Sequence, residues 1–407
     1  MSIDIPCITI REFSDCFSGD LYDGYAEIFS TSPLRVCKLE GKQSESAIVF
    51  SRFDQVKLIL EQHQLTSKES DNRSNLLDVS NAFSGSLLFK DDSEHQALKK
   101  IFAQYFRRVP VSRYHELTTS MARKYFDDAS LKGRLDDFEI MSGFCQKLPM
   151  TIVMQLLGFP MDARQQISLL SIKISHGIDN INASKGDKDV KDSAFSTLLE
   201  IIEEGILGKW EFSSQSLMSN IRSLIHSKQI SMSCASSNIA LLLFAGQETT
   251  AALIGSMIYC LASFPQQLSI LRRNRELVDS AIEEVLRFES PLQRATFRSI
   301  RKSFNLHGLN FSEGEEIILL IGAANRDEKI FVKPNEFIIS RTPNPHLSFG
   351  KGSYHCLGRQ LAIVEARAVC NFLLSRFSGS WHLNKAEWGS STLLRCLKRL
   401  HVNFNAG

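Results

Sequence analysis

Chain-breaking residues are scarce in this 407-residue sequence: it has 22 glycines and 10 prolines, about 8% against a usual ~12%. That shortage excludes collagen-like and low-complexity architectures and favours helix. No CxxC pair occurs among the nine cysteines, at positions 7, 16, 37, 145, 234, 260, 356, 370 and 396. Their odd number and wide spacing argue against a zinc ribbon or a disulfide scaffold, and predict mostly free thiols in a reducing compartment. A charge excess is also missing. Lys and Arg number 47, Asp and Glu 45, for a net charge of +2, so a general nucleic-acid binder is not expected. The opening MSIDIPCITIREF lacks a basic stretch and a long apolar run. No signal peptide is expected there, and a cytoplasmic protein is.

What the sequence does contain is helical periodicity. Pro149–Leu157 and its flanks read as helix, and the signal returns at Leu198–Ile206. Between them, the polar stretch Gly177–Ser193 reads as a surface loop. The run Ile239–Phe264 has 26 residues and one charge. Its length passes for a membrane span. Gly246-Gln247-Glu248-Thr249-Thr250 at its centre, and the lack of flanking anchors, favour instead a helix of about 39 Å buried through a large helical domain. Pro265 gives a stop. From Thr296 to Leu320 short alternating segments surround turns at His307-Gly308 and Glu313-Gly314, predicting a small β region. Helix resumes at Leu357–Phe377. No repeat or linker divides the chain, so residues 1–407 are expected to form one domain, mainly α with a minor β region.

Three segments carry chemistry. In Phe349–Gly358 (FGKGSYHCLG), glycines 350, 352 and 358 surround Cys356, just before a predicted helix. Exposed amides and the positive helix end stabilise a thiolate there. Such a thiolate serves as a haem ligand, a nucleophile or a redox thiol; a plain buried cysteine is the alternative. No phosphate-loop pattern is present. In Ala281–Pro291 (AIEEVLRFESP), Glu284 and Arg287 share a helix face at i and i+3 and can pair. In Ala245–Thr250 (AGQETT), a buried acid sits beside a hydroxyl. Such an acid is costly unless satisfied or used, so a simple kink with a satisfied acid remains open.

Together, and in this order, the three segments resemble the bacterial soluble cytochromes P450. The cysteine segment is similar to that family's FGxGxHxCxG loop, AGQETT to its AGxETT helix, and EEVLR to its ExxR motif; GAANRDEKIF is similar to its ANRD segment. The resemblance implies the family's fold, with haem b (iron protoporphyrin IX) between a long central helix and the cysteine loop. It implies that Cys356 is the thiolate ligand of the iron, with Phe349 beside the sulfur and Gly350 and Gly358 giving amide access. Glu248 and Thr249 are then the acid–alcohol pair for proton delivery, and Ala245 and Gly246 the oxygen groove. Glu284, Arg287 and Arg341 form a structural ion triad. His95, Lys99, Arg298 and His355 are placed near the haem carboxylates.

Two departures bear on that last group. The family's loop histidine falls on Tyr354, with His355 one place later. Lys99 stands where an arginine is usual after His95, a point charge in place of a fork. The activity implied is O2-dependent oxidation, most simply hydroxylation, of a small organic substrate. Desaturation, coupling and peroxide-driven oxidation are alternatives within the fold, and a haem-binding sensor is one outside it. No flavin or ferredoxin motif is present, so electrons are expected from a separate ferredoxin and an NAD(P)H-dependent reductase. Lys99, Lys100, Arg107, Arg108, Arg272, Arg273 and Lys351 are candidates for a basic docking face. By analogy with that family, substrate contacts are expected from the segment before Leu88, the loop near residues 170–190, the long helix around Leu242 and Ala245, Arg294 to Thr296, and Ser391 to Leu393.

Overall fold

The computed structural model describes residues 5–16, 21–30, 32–37, 46–68, 83, 85–108, 110–131, 134–177, 184–214, 216–295 and 298–406. Its axis is a single helix, Met232–Ser263. The helix starts seven residues before the apolar run because Ser231 caps it, its Oγ accepting from the Cys234 amide at 3.1 Å. It stops at Phe264. Pro265 then opens the next helix, Pro265–Arg273, in the first turn, where a missing N–H costs nothing. Thirty-two residues at 1.5 Å each give about 48 Å.

By length and composition the helix could cross a membrane, but 67% of its most apolar stretch is buried inside the protein. Its first half, with Ile239, Leu241 and Leu243, packs with Phe195, Leu198 and Ile202. Its second half, with Leu253, Ile254, Met257 and Leu261, joins a separate cluster containing Phe144, Ile152 and Val369. It is therefore apolar on every side rather than along one stripe. Each such fully buried side chain contributes about 1.5–3 kcal/mol. Between the two halves lies the segment Ala245–Thr250, where the packing gives way to a cavity.

Three sheets complete the fold. The largest runs Cys7–Thr9, Leu34–Cys37, Ser46–Phe50, Glu316–Leu319, Arg298–Ile300, Thr66–Ser67, with mixed parallel and antiparallel pairing. The expected β region is thus real but recruits N-terminal strands that show no period-2 signal, since Ala47–Phe50 is buried on both faces. His307 and Gly308, at φ 53° and 83°, close the hairpin Phe304–Leu306/Leu309–Phe311, as two positive-φ turn residues should. A C-terminal ribbon, Ser380–Trp388 with Leu397–Ala406, was not anticipated.

One further expectation needs correction. The polar stretch 177–193 is not all loop: helix Lys185–Glu204 begins within it, started by a capping box between Ser184 and Asp187. The remainder, 178–183, lies outside the described residues, as does Thr296. Cys7 and Cys37 are joined as a disulfide between neighbouring strands; the other seven cysteines are free.

Candidate active site

A cavity of about 320 Å³ lies between the central helix, the loop Leu347–Gly358 and the helix Arg359–Arg376. Of the residues singled out in the sequence, His95, Lys99, Ala245, Gly246, Thr249, Arg298, Phe349, Gly350, His355, Cys356 and Gly358 all line it. Glu248 does not.

The loop is folded around Cys356. Its amide donates to the Phe349 carbonyl at 2.9 Å, and the Gly350 amide to Leu347 at 2.7 Å. Gly350 and Gly352 both have positive φ, 69° and 65°. A Cβ on Gly352 would also lie 2.7 Å from the Leu60 carbonyl oxygen, so this corner needs glycine. The exposed surface of Cys356 faces the cavity, and the thiol itself is deep in the molecule. Burial raises its pKa; the amides of Gly358 and Arg359 and the charges of Lys99 and Arg359 oppose that rise. Arg359 also lies over the Phe349 ring, 5.4 Å from its centroid, and is held by Glu283 at 2.6 Å.

Across from the loop, Thr249 Oγ1 donates to the Ala245 carbonyl at 2.6 Å, the i−4 bond that loosens a helix. Gly246 is on the wall, but its missing side chain also serves packing: a Cβ would approach Val153 to 3.0 Å. Glu248 is half-buried on another face, close enough to Cys396 to raise that thiol's pKa after burial.

Four cationic or basic groups gather at one end. His95 is 2% exposed and is held by the Leu87 carbonyl through Nδ1 (2.7 Å) and the Ser353 carbonyl through Nε2 (3.1 Å). Lys99 Nζ donates to the carbonyls of Ser353 and His355. His355 has a lowered pKa, first from burial and then from Arg359, so it is a poor permanent counter-ion. Arg298 is 2% exposed, and its Nε has no hydrogen-bond partner. Burial pushes its pKa down to about 10 against the opposing influence of Tyr354 and Asp91. A buried guanidinium with an unused donor on a cavity wall fits a carboxylate-bearing ligand.

The ion triad lies off the cavity. Arg287 grips Glu284 with Nε (2.8 Å) and Nη2 (2.9 Å), and Arg341 Nε reaches both carboxylate oxygens at 3.1 Å. Glu284 and Arg287 are fully buried. Arg287 also donates to the carbonyls of Asn325, Pro334 and Glu336. Breaking one side of such a network leaves an uncompensated charge, at a cost of about 3–5 kcal/mol. Arg287→Ala is expected to yield little haem-loaded protein; a soluble, haem-replete variant with wild-type thermal stability would contradict the structural role. Asn325, within the ANRD segment, ties the cysteine loop to this base: its Nδ2 donates to Ser290 (2.7 Å) and Ser348 (2.8 Å), and its Oδ1 accepts from the Leu347 amide (2.7 Å).

Sequence reasoning missed Glu365, nine residues beyond Cys356 and also on the cavity wall. One oxygen accepts from the Tyr114 hydroxyl and the other has no partner. Burial raises its pKa to about 8 from an ordinary 4.5. Between those values the folded chain keeps a proton that the unfolded chain has released. Rising pH therefore favours unfolding, by up to about 1.4 kcal/mol per pH unit. Glu365→Gln removes that slope. Melting temperatures measured from pH 5 to 8 should shift progressively in the variant's favour and run parallel above. Parallel curves throughout would show that the carboxyl is not held neutral.

The basic-face candidates divide. Arg272 donates to the carbonyls of Phe377 and Gly379, both at 2.6 Å, and Lys99 is engaged in the loop, so neither is a free surface charge. Lys100, Arg107 and Arg273 are exposed, and Arg107 borders a polar depression of about 250 Å³ outside Cys356. The Arg108 side chain lies outside the described residues.

Residues 41–388 match the family model for cytochrome P450. The chain is 32% identical over 329 residues to a biotin biosynthesis cytochrome P450 of Bacillus subtilis, covering 80% of this chain and 82% of that one. It also superposes on solved structures. One is P450BioI in complex with an acyl carrier protein bearing hexadec-9Z-enoic acid, with TM-score 0.84, 27% identity, and 96% and 100% of the two chains covered. Another is CYP109E1 from Bacillus megaterium in complex with testosterone, with TM-score 0.81, 26% identity, and 98% and 100% covered.

Proposed function

The chain belongs to the cytochrome P450 family, whose members bind haem and are monooxygenases, and on that premise we propose that it is a haem b enzyme that uses O2 to hydroxylate a small organic substrate. A separate ferredoxin and an NAD(P)H-dependent reductase supply its electrons. When bound, haem supplies the redox chemistry of O2 reduction and cleavage. The residues of this chain do the rest. Cys356 offers the iron a thiolate supported by two amides, and Arg298 and His95 meet the haem carboxylates. Thr249 holds a proton at Oγ1 on the opposite wall, and Glu248 passes protons from outside.

One observation carries this reading: the hydroxyl of Thr249 and the thiol of Cys356 border the same cavity. A haem sensor has no use for that hydroxyl. The substrate-side wall supports a hydrocarbon-rich substrate, being built from Leu87, Leu88, Val153, Leu241, Leu242 and Leu292. Arg294, 1% exposed, is a charged group on the same wall. The two solved relatives carry a fatty acyl carrier protein and a steroid, so kinship gives no single substrate class.

The test supplies a surrogate ferredoxin and reductase, NAD(P)H and 18O2 to haem-loaded protein with ligands chosen by spectral screening. One labelled oxygen per product molecule is expected. Product without label would indicate desaturation or coupling, and ligand-independent NAD(P)H consumption without product would favour the sensor.

A further inference from the structure

We propose that Tyr354 is a positioning residue whose ring aligns Arg298 toward the haem carboxylates, doing indirectly what the histidine of the family's loop pattern would do by contact. The inference needs haem binding but not oxygenation, so protein that binds haem and fails to hydroxylate still allows it to be tested.

Tyr354 is a poor carboxylate ligand but a well-anchored ring. Its hydroxyl is within 2.7 Å of the Lys90 carbonyl and 2.8 Å of an Asp91 oxygen. Asp91 is itself fixed, accepting from the Lys68 amide at 3.0 Å and from Ser67 Oγ. The outer end of the ring is therefore tied to the segment before the Asp92–Arg108 helix.

The ring is packed among three basic side chains. The His95 ring lies 4.1 Å away, centroid to centroid. Arg298 Cζ is 5.1 Å and Lys68 Nζ 5.3 Å from the ring centroid. Both cations are almost fully buried. Among the described residues the one hydrogen bond of Arg298 is a 3.3 Å contact from Nη1 to Thr66, too weak to fix a guanidinium alone. The ring supplies the missing restraint, because an aromatic face attracts a desolvated cation and limits its tilt. Arg298 and His95 reach the cavity wall and Lys68 does not. The ring thus sits between the buried Lys68 side chain and the guanidinium that faces the ligand.

The experiment uses haem-loaded full-length protein and reads haem transfer to excess apomyoglobin, with reduction potential as a second readout. Tyr354→Leu should release haem roughly ten- to thirtyfold faster, the worth of a desolvated cation–π contact. Tyr354→Phe, which keeps the ring, should change the rate by no more than about fivefold. Arg298→Leu should accelerate release, and adding Tyr354→Leu to it should add little, because both act through one guanidinium. The two single variants should shift the potential in the same direction, and the double variant no further. Independent, multiplying effects would overturn the inference. If Tyr354→Leu does not load haem, Tyr354→Phe decides: release more than tenfold faster would show that the hydroxyl tether, not the ring, does the work.

Discussion

Cys356→Ala is expected to abolish the red-shifted Soret band that the reduced, CO-treated protein gives with thiolate ligation. Cys356 is the one cysteine whose side chain borders the cavity among the described residues. Substitutes are badly placed. Cys145, Cys260 and Cys370 are buried in apolar packing that raises their pKa and holds them as thiols. Cys356 is open to the cavity, and the amides of Gly358 and Arg359 and the charges of Lys99 and Arg359 favour its anion. A bound metal then removes the thiol proton outright. Cys356→His should retain some haem and give the unshifted band of nitrogen ligation. A persisting shifted band in Cys356→Ala would place the ligand elsewhere and remove the basis for the proposed chemistry. The measurement needs only dithionite, CO and a spectrum of each variant.

Some parts of this molecule were legible in sequence because they depend on local chemistry. The glycines around Cys356 announce a tight loop, and two of them do adopt positive φ. The centre of the apolar run announces a break in packing, and Thr249 does bond back to Ala245. The ExxR pair was legible as a spacing. Its burial was not, because burial comes from Asn325, Pro334 and Glu336, some forty residues away.

Glu365 was missed for a related reason. In sequence it is one acid in an amphipathic helix; only the packing of Tyr114 against it makes it a buried carboxyl. The role of Tyr354 was similarly hidden, since Lys68, His95 and Arg298 come from three distant segments. The helix from Lys185 was a miss of another kind. Polar composition outweighed a Ser184–Asp187 capping signal that was there to be read. The strand Ser46–Phe50 pairs with Leu34–Cys37 on one side and with Glu316–Leu319 on the other, and that second, long-range contact is one that no local pattern encodes.

Thr249→Ala is expected to separate electron consumption from product formation. The hydroxyl is at the edge of the cavity, with its proton donated to the Ala245 carbonyl at 2.6 Å. In that pose its lone pairs are open to a donor in the cavity. A rotation about the Cβ–Oγ1 bond reverses the role, turning the proton inward. Oγ1 can therefore hold a water or a reduced-oxygen species and hand on a proton without any backbone movement. Glu248 is half-buried and off the cavity wall, so in the proposed relay it carries protons toward that water rather than holding them there.

Deleting the hydroxyl leaves the thiolate and the haem-carboxylate contacts untouched, so reduction and NAD(P)H consumption should continue at near wild-type rates. Reduced oxygen would then escape as hydrogen peroxide. Product per NAD(P)H should fall by roughly 10- to 100-fold, at or below the low end for a positioned proton donor, because water can fill the gap left by the side chain. Thr249→Ser should restore coupling. Glu248→Gln should instead slow NAD(P)H consumption and product formation together, since it starves the relay rather than opening a leak. Measuring NAD(P)H, peroxide and product in one reaction tells these outcomes apart. Full coupling in Thr249→Ala would mean that the substrate or another group supplies the hydrogen bond, and that the hydroxyl of Thr249 serves only to bend the helix.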